Sequence, residues 1–174
     1  GNYESVAETS KDDMLGQSLM EMSINLKTAA DQNKNRNWSM AGIAKIAEII
    51  RASNHNLDEL SNQLISYLVK YLNATQGGIF VLNEEKSLDL KGCYAYQKKK
   101  FVEKRIEVGQ GLVGQSILEK DIVYLTEIPQ NYLHITSGLG DANPGALIIV
   151  PLKNEDEVVG AMEIASFHKF EKHH

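Results

Sequence analysis

The sequence predicts an α+β protein in which helices come first and an antiparallel sheet follows. Apolar residues in the first third recur at helical seam spacing, whereas later apolar runs are β-rich and flank short polar links, as hairpin strands do. Between them "FVEKRIEV" alternates, with Val102, Ile106 and Val108 on one face and Glu103, Arg105 and Glu107 on the other.

The first element is a long helix. Leu15, Leu19, Met22, Leu26 and Ala29 keep a 4-3-4-3 spacing, and Met40, Ile43, Ala47 and Ile50 resume the same phase. Across "DQNKNRN" only Asn33 and Arg36 fall on the seam, so one helix is predicted over residues 12–52. At 1.5 Å per residue it is about 60 Å long, more than so small a domain covers. The economical cover is the same helix from a second chain, a homodimer through a parallel coiled coil whose polar seam residues fix register. The alternative is an amphipathic helix folded back on its own domain. Trp38 reads as a packing anchor.

A second helix starts at "NHNLDEL", where Asn56 is placed to cap and Glu59 to complete a capping box. Leu57, Leu60, Leu64, Leu68 and Leu72 carry its apolar face until Gly77 and Gly78 end the pattern. "GIFVLN" and "LDLKGCYAY" around "EEKS" predict a hairpin. "LVGQSILEK" reads as a short amphipathic helix and "IVYLT" as a strand. "ALIIVPL" and "VVGAMEIAS", joined by "KNEDE", predict a second hairpin that closes the sheet.

Composition narrows the function. The chain has 174 residues, 43% of them hydrophobic, enough for one well-cored domain and an extension. A net charge of -5 argues against nucleic acid, whose binding rests on clustered Lys and Arg. One cysteine, Cys93, excludes an internal disulfide and a Cys-cluster zinc site, and fits a reducing, cytoplasmic compartment. Nothing approaches the roughly 20 apolar residues of a membrane span, so no direct membrane contact is expected in this segment. "QKKKFVEKR" reads as a solvated loop and strand face, and His168, His173 and His174 as surface histidines without metal spacing. No catalytic residue and no metal site is assigned.

"VGQGLVGQSILEK" contains G-x-G-x-x-G at Gly109, Gly111 and Gly114, with Glu127 near the end of the following strand. A dinucleotide-binding unit needs a parallel strand, buried on both faces, before its glycines. "VEKRIEV" has one wet side, so the glycines read as a strand-to-helix turn needing unusual backbone angles. An oxidoreductase of that kind is the disfavoured alternative.

From residue 57 to 170 the succession "GGIFVLN", "LDLKGCYAY", "IEVGQGLVGQSILEK", "IVYLTEIP" and "GALIIVPLKNEDEVVGAMEIASF" resembles a GAF domain, the small-molecule sensor module of signalling proteins. The resemblance implies a six-stranded antiparallel sheet with helices packed on one face and a ligand pocket under loops on the other. It divides the chain into a signalling helix over residues 1–56 and a GAF-like domain over 57–174, truncated at its last helix. "DDMLGQSLMEMSINLK" is similar to the final helix of a HAMP relay segment. Carried onto this sequence, the pocket is implied at Tyr94, Tyr96, Leu112, Val113, Tyr124, Thr126, Tyr132, His134 and Thr136. Tyr, His and Thr there give apolar walls with a few hydrogen-bonding tips.

Within that family, bilin-binding members carry a cysteine commonly followed by His, but Cys93 precedes Tyr94 and reads as a small buried hydrophobe. Sulfoxide-reducing members carry several cysteines, and the cyclic-nucleotide signature is absent from "NEEKSLDL". The cofactor and ligand stay unassigned. The expectation is a non-enzymatic sensor of a bacterial signalling or two-component protein, which binds a small molecule or partner and relays through dimeric helices. Its output domain, a histidine kinase, phosphatase or cyclase, is expected outside this segment, and an inner-membrane anchor elsewhere in the full-length protein fits this reading. The rival is a ligand-free dimerisation scaffold of the same fold.

Overall fold

Helix α1 spans Met14–Ala52 in the computed structural model, which describes residues 14–53, 56–95, 105–129, 135–137 and 140–171. The seam residues Leu15, Leu19, Met22, Leu26, Met40, Ile43 and Ile50 are all solvent-facing, from 47% exposed at Ile50 to 71% at Leu15. The predicted heptad phase therefore lies on one continuous helix, and these seam side chains face solvent among the described residues. Two compact units are distinguished, with the boundary between Lys45 and Ile46 inside α1.

Helix α2 (Leu57–Tyr71) begins at the predicted cap, Asn56, while the Glu59 carboxylate expected to complete a capping box is bonded forward along the helix instead. Asn56 is extended, and its Oδ1 accepts hydrogen bonds from the Asp58 and Glu59 amides at 3.0 and 3.2 Å. That satisfies two donors a helix start leaves open. Glu59 Oε1 accepts from Gln63 Nε2 at 3.1 Å. The helix ends at Leu72, and Asn73 turns the chain with a φ of 50°.

The remainder is β1 (Gln76–Leu82), β2 (Ser87–Tyr94), β3 (Arg105–Glu107), α3 (Gly111–Glu119), β4 (Val123–Leu125), β5 (Ile135–Ser137), β6 (Gly140–Ala142), β7 (Ala146–Asn154) and β8 (Glu157–Ser166). Six strands form one antiparallel sheet in the order β3-β2-β1-β8-β7-β4. Both expected hairpins are present. Asn83 holds the β1–β2 turn: its Oδ1 accepts from the Glu85 and Ser87 amides, each at 3.0 Å, and its Nδ2 donates to Asp89 Oδ1 at 3.1 Å. This is an Asx-type closure, in which a short side-chain amide replaces a backbone turn bond. β5 and β6 form a separate two-stranded sheet, which the sequence reading missed.

Strand alternation splits the core in two. Ile65 and Val69 of α2 pack with Ile79 and Ile164 on one face. Phe80, Leu88, Leu147, Ile149, Ala161 and Ala165 form the other core with Val113 and Ile117 of α3. The α2 face is set by a close approach at Gly92. A Cβ built there would lie 2.6 Å from the Ser61 oxygen and 2.7 Å from the Asn62 nitrogen, both backbone atoms. Beside it Asn62 Oδ1 accepts from the Cys93 amide at 3.2 Å. Only glycine lets α2 come this close to β2, because backbone cannot yield as a side chain does. Gly92→Ala is expected to lower stability by about 1–3 kcal/mol, the range of overpacked sites. Urea unfolding followed by circular dichroism checks this.

Candidate ligand-binding face

The glycine turn positions α3. Gly109 and Gly111 have φ of 84° and 61°, values that L side chains rarely adopt. The turn satisfies itself: the Gln110 amide donates to the Glu107 carbonyl at 2.9 Å, and the Gly109 amide to the Gly114 carbonyl at 2.9 Å. The Glu107 amide donates to Gln110 Oε1 at 3.1 Å. A dinucleotide loop turns such amides towards pyrophosphate. Here they are used internally, and β3 is an antiparallel edge strand of three residues. The glycines serve backbone geometry. Nothing crowds Gly109, whose nearest neighbour for an added Cβ is Leu118 Cδ2 at 3.8 Å, so Gly109→Ala isolates strain alone. Its expected cost is about 1–2 kcal/mol, read as a lowered denaturation midpoint with an unchanged slope.

At its other end α3 closes on Lys120, left-handed at φ 56°, whose Nζ donates to the Asp156 carbonyl of the β7–β8 turn at 2.8 Å. The helix is thus tied at both ends to hairpins of the sheet it covers.

The expected site residues divide between faces. Leu112 and Val113 lie together on the α3 face, Val113 in the core and Leu112 packed against it. Tyr94 lies on the α2 face, packed with the Ile65, Val69, Ile79 and Ile164 group, and the Lys70 ammonium is 5.7 Å from its ring centroid. Tyr124 pairs with Ile148, itself on the α2 side, and its ring is 6.2 Å from that of Phe170. The cause is period-two alternation. Cys93 turns towards the α3 face and sends Tyr94 to the other, while Val123 and Leu125 take the inward positions around Tyr124. Thr126 is exposed just after β4. Thr136 belongs to β5. Its side chain, with Tyr96, Tyr132 and His134, lies outside the described residues.

A charged residue on the α3 face escaped the sequence reading. Ala161 and Ala165 belong to the α3-side core and Ile164 to the α2 side, so the intervening Glu163 projects towards α3. It is 3% exposed. It carries no role in the sequence reading, and its burial follows from the covering of β8 on both faces. Cys93 is buried and pairs with Gly78, which pairs in turn with Glu163.

A cleft of about 360 Å³ opens where Leu72 and Asn73 meet Ser166 and residues 168–171. Among the described residues no three His, Cys, Asp or Glu side chains group as metal ligands. Among the described residues no helix is long and apolar enough to cross a membrane.

A six-stranded antiparallel sheet, with α2 on one face and a glycine-turned helix on the other, defines a class of small α+β domains that are generally regulatory or sensory. The chain belongs to the GAF domain family, whose model matches residues 54–173. The GAF domain of a phosphoenolpyruvate-protein phosphotransferase (ptsP) from Coxiella burnetii is similar, with a TM-score of 0.61 and 18% identity over 77% of this chain and 83% of that one. The A. aeolicus nlh2 GAF domain in an inactive state gives 0.60 and 19% over 79% and 83%. Free methionine-R-sulfoxide reductase from Neisseria meningitidis, in complex with its substrate, gives 0.61 and 15% over 80% of each chain. At these identities the likeness is one of fold. No curated protein matches the chain in sequence.

Proposed function

We propose that this chain is the sensor segment of a signal-transduction protein. Its GAF domain recognises a small molecule or partner on the α3 face, and paired α1 helices relay the change to a kinase, phosphatase or cyclase output domain. The observation that most supports this is the α1 seam, whose leucines, methionines and isoleucines are about half or more exposed over the whole helix. A helix of 39 residues with such a stripe needs a partner of equal length, and a second copy supplies one. The relay requires the ligand to bind the two helix packings with different affinity. The module operates in a reducing cytoplasmic compartment, which keeps the single buried cysteine in its thiol form.

Residue pairing tests the parallel arrangement. Met22 lies on the seam and Glu21 off it. In a parallel, in-register pair, Met22→Cys meets its own copy and oxidises to a covalent dimer, while Glu21→Cys does not. Equal cross-linking of both, or of neither, contradicts the relay geometry.

The segment itself is not an enzyme on this reading. A thiol reductase that turns over through an intramolecular disulfide needs a second thiol, and this chain has one cysteine. Incubation with free methionine sulfoxide and a thiol reductant is expected to give no turnover, and sustained turnover would overturn the non-enzymatic reading.

A further inference from the structure

We propose that Arg36 and Asn33 of paired α1 helices form a binding site for a tetrahedral oxyanion, a phosphate or sulfate group, held between the two chains. This rests on the parallel pairing proposed above and adds to it an ion that sets how tightly the helices hold.

The charges of α1 are arranged around its seam in an uneven way. When the seam phase is continued from Leu15 to Ile50, Glu21, Asp31, Glu48, Lys27, Lys34 and Lys45 all fall outside the seam and outside the positions that flank it. Arg36 alone brings a charge onto it. Its neighbours three and four residues away on the helix are Gln32, Asn33, Ser39 and Met40, so no carboxylate reaches it along its own chain. Among the described residues it forms no ion pair. Its Nη2 donates to Asn33 Oδ1 at 3.4 Å, which lays the guanidinium along the seam towards the turn before it. A guanidinium can only donate, so the Asn33 oxygen is occupied and the Nδ2 hydrogens remain as donors.

In a parallel, in-register pair each Arg36 is a knob set among the Asn33, Arg36, Asn37 and Met40 positions of the second copy. Two guanidiniums then meet across the seam, and no acidic residue lies on the seam or its flanks to answer them. Arginine cannot relieve the repulsion by losing its proton. Like charges drawn partly out of water repel more strongly than in bulk solvent. The counter-charge therefore comes from solution. Two guanidinium forks and two asparagine amides present donors alone, and a fork matches the paired oxygens of a phosphate or sulfate better than a spherical chloride. Paired helix axes lie about 8–10 Å apart, which suits one small tetrahedral group. An anion that binds the pair and not the single helix tightens the dimer by linkage.

Sedimentation equilibrium of the whole chain measures the dimer dissociation constant in phosphate, sulfate, glycerol phosphate and chloride, at one pH and one ionic strength. The constant is expected to be about tenfold lower in phosphate than in chloride once phosphate stands tenfold above its own dissociation constant. Arg36→Leu places a favoured apolar residue on the seam. It is expected to dimerise more tightly than wild type in chloride and to lose the phosphate response. A response to phosphate or sulfate only, or to glycerol phosphate as well, separates a free ion from a phosphate ester, and either supports the site. Equal wild-type constants in phosphate and chloride overturn the anion site and leave the helix pairing standing. An undiminished phosphate response in Arg36→Leu does the same, since it marks a general salt effect on apolar burial. A monomer in every buffer, for wild type and Arg36→Leu alike, overturns the pairing and the site together.

Discussion

Phe80→Ala is expected to remove about 3–5 kcal/mol of stability, a large share of the 5–15 kcal/mol typical of a folded domain. Phe80 is fully buried in β1, one of the two central strands. Its ring lies in the α3-side core with Leu88, Ile106, Val113, Ile117 and Ile149, which reach it from β2, β3, α3 and β7. Its direct neighbours across the ladders are Leu90 and Ala161. Ala161 has nothing to extend into a vacated space, and strands on both sides hold the backbone of β1, so the cavity cannot collapse. The loss then combines the transfer term with the cavity term. Urea unfolding by circular dichroism measures it. A loss below about 1 kcal/mol would mean that this core repacks freely and that α3 is not seated by it.

The second large effect concerns the proposed dimer. Leu19→Glu combined with Leu26→Glu is expected to convert a dimer into a monomer in light scattering after gel filtration. These residues are 53% and 50% exposed in the single chain. Fully burying one leucine contributes about 1.5–3 kcal/mol. In a symmetric parallel pair each substitution counts in both chains and sets like charges against each other across the seam. The seam already tolerates Asn33 and Arg36 in its middle, so it has little surplus stability there to absorb four more charges. Both positions face solvent in the single chain, so the GAF domain should keep its unfolding midpoint. A dimer that persists would move the contact away from α1.

Helix and hairpin signals in the sequence proved direct physical causes. The heptad phase, Asn56 as a cap, the polar link "EEKS" between two strands and the glycines entering α3 act through local backbone chemistry, which needs no knowledge of the rest of the fold. The faces of individual strand residues are different. Tyr94 and Tyr124 carry the side-chain chemistry of a binding wall, yet they lie across the sheet from Leu112 and Val113. A one-residue offset reverses the face of a strand, and the β1–β2 ladder shifts register between Ile79 and Phe80. Val108, read as the end of the alternating strand, instead stands in the turn after β3 and is 37% exposed. Glu163 was illegible because its burial depends on cover from chain far away in sequence. The β5–β6 pair is short and polar, with too few apolar residues to announce itself.

Native mass spectrometry of the purified chain tests the sensor account most directly, because one spectrum reports both assembly and retained small molecules. The account predicts a species near twice 19.4 kDa that carries a discrete low-mass adduct. A bare monomer at 19.4 kDa would contradict it, removing the helix pairing and the bound ligand together.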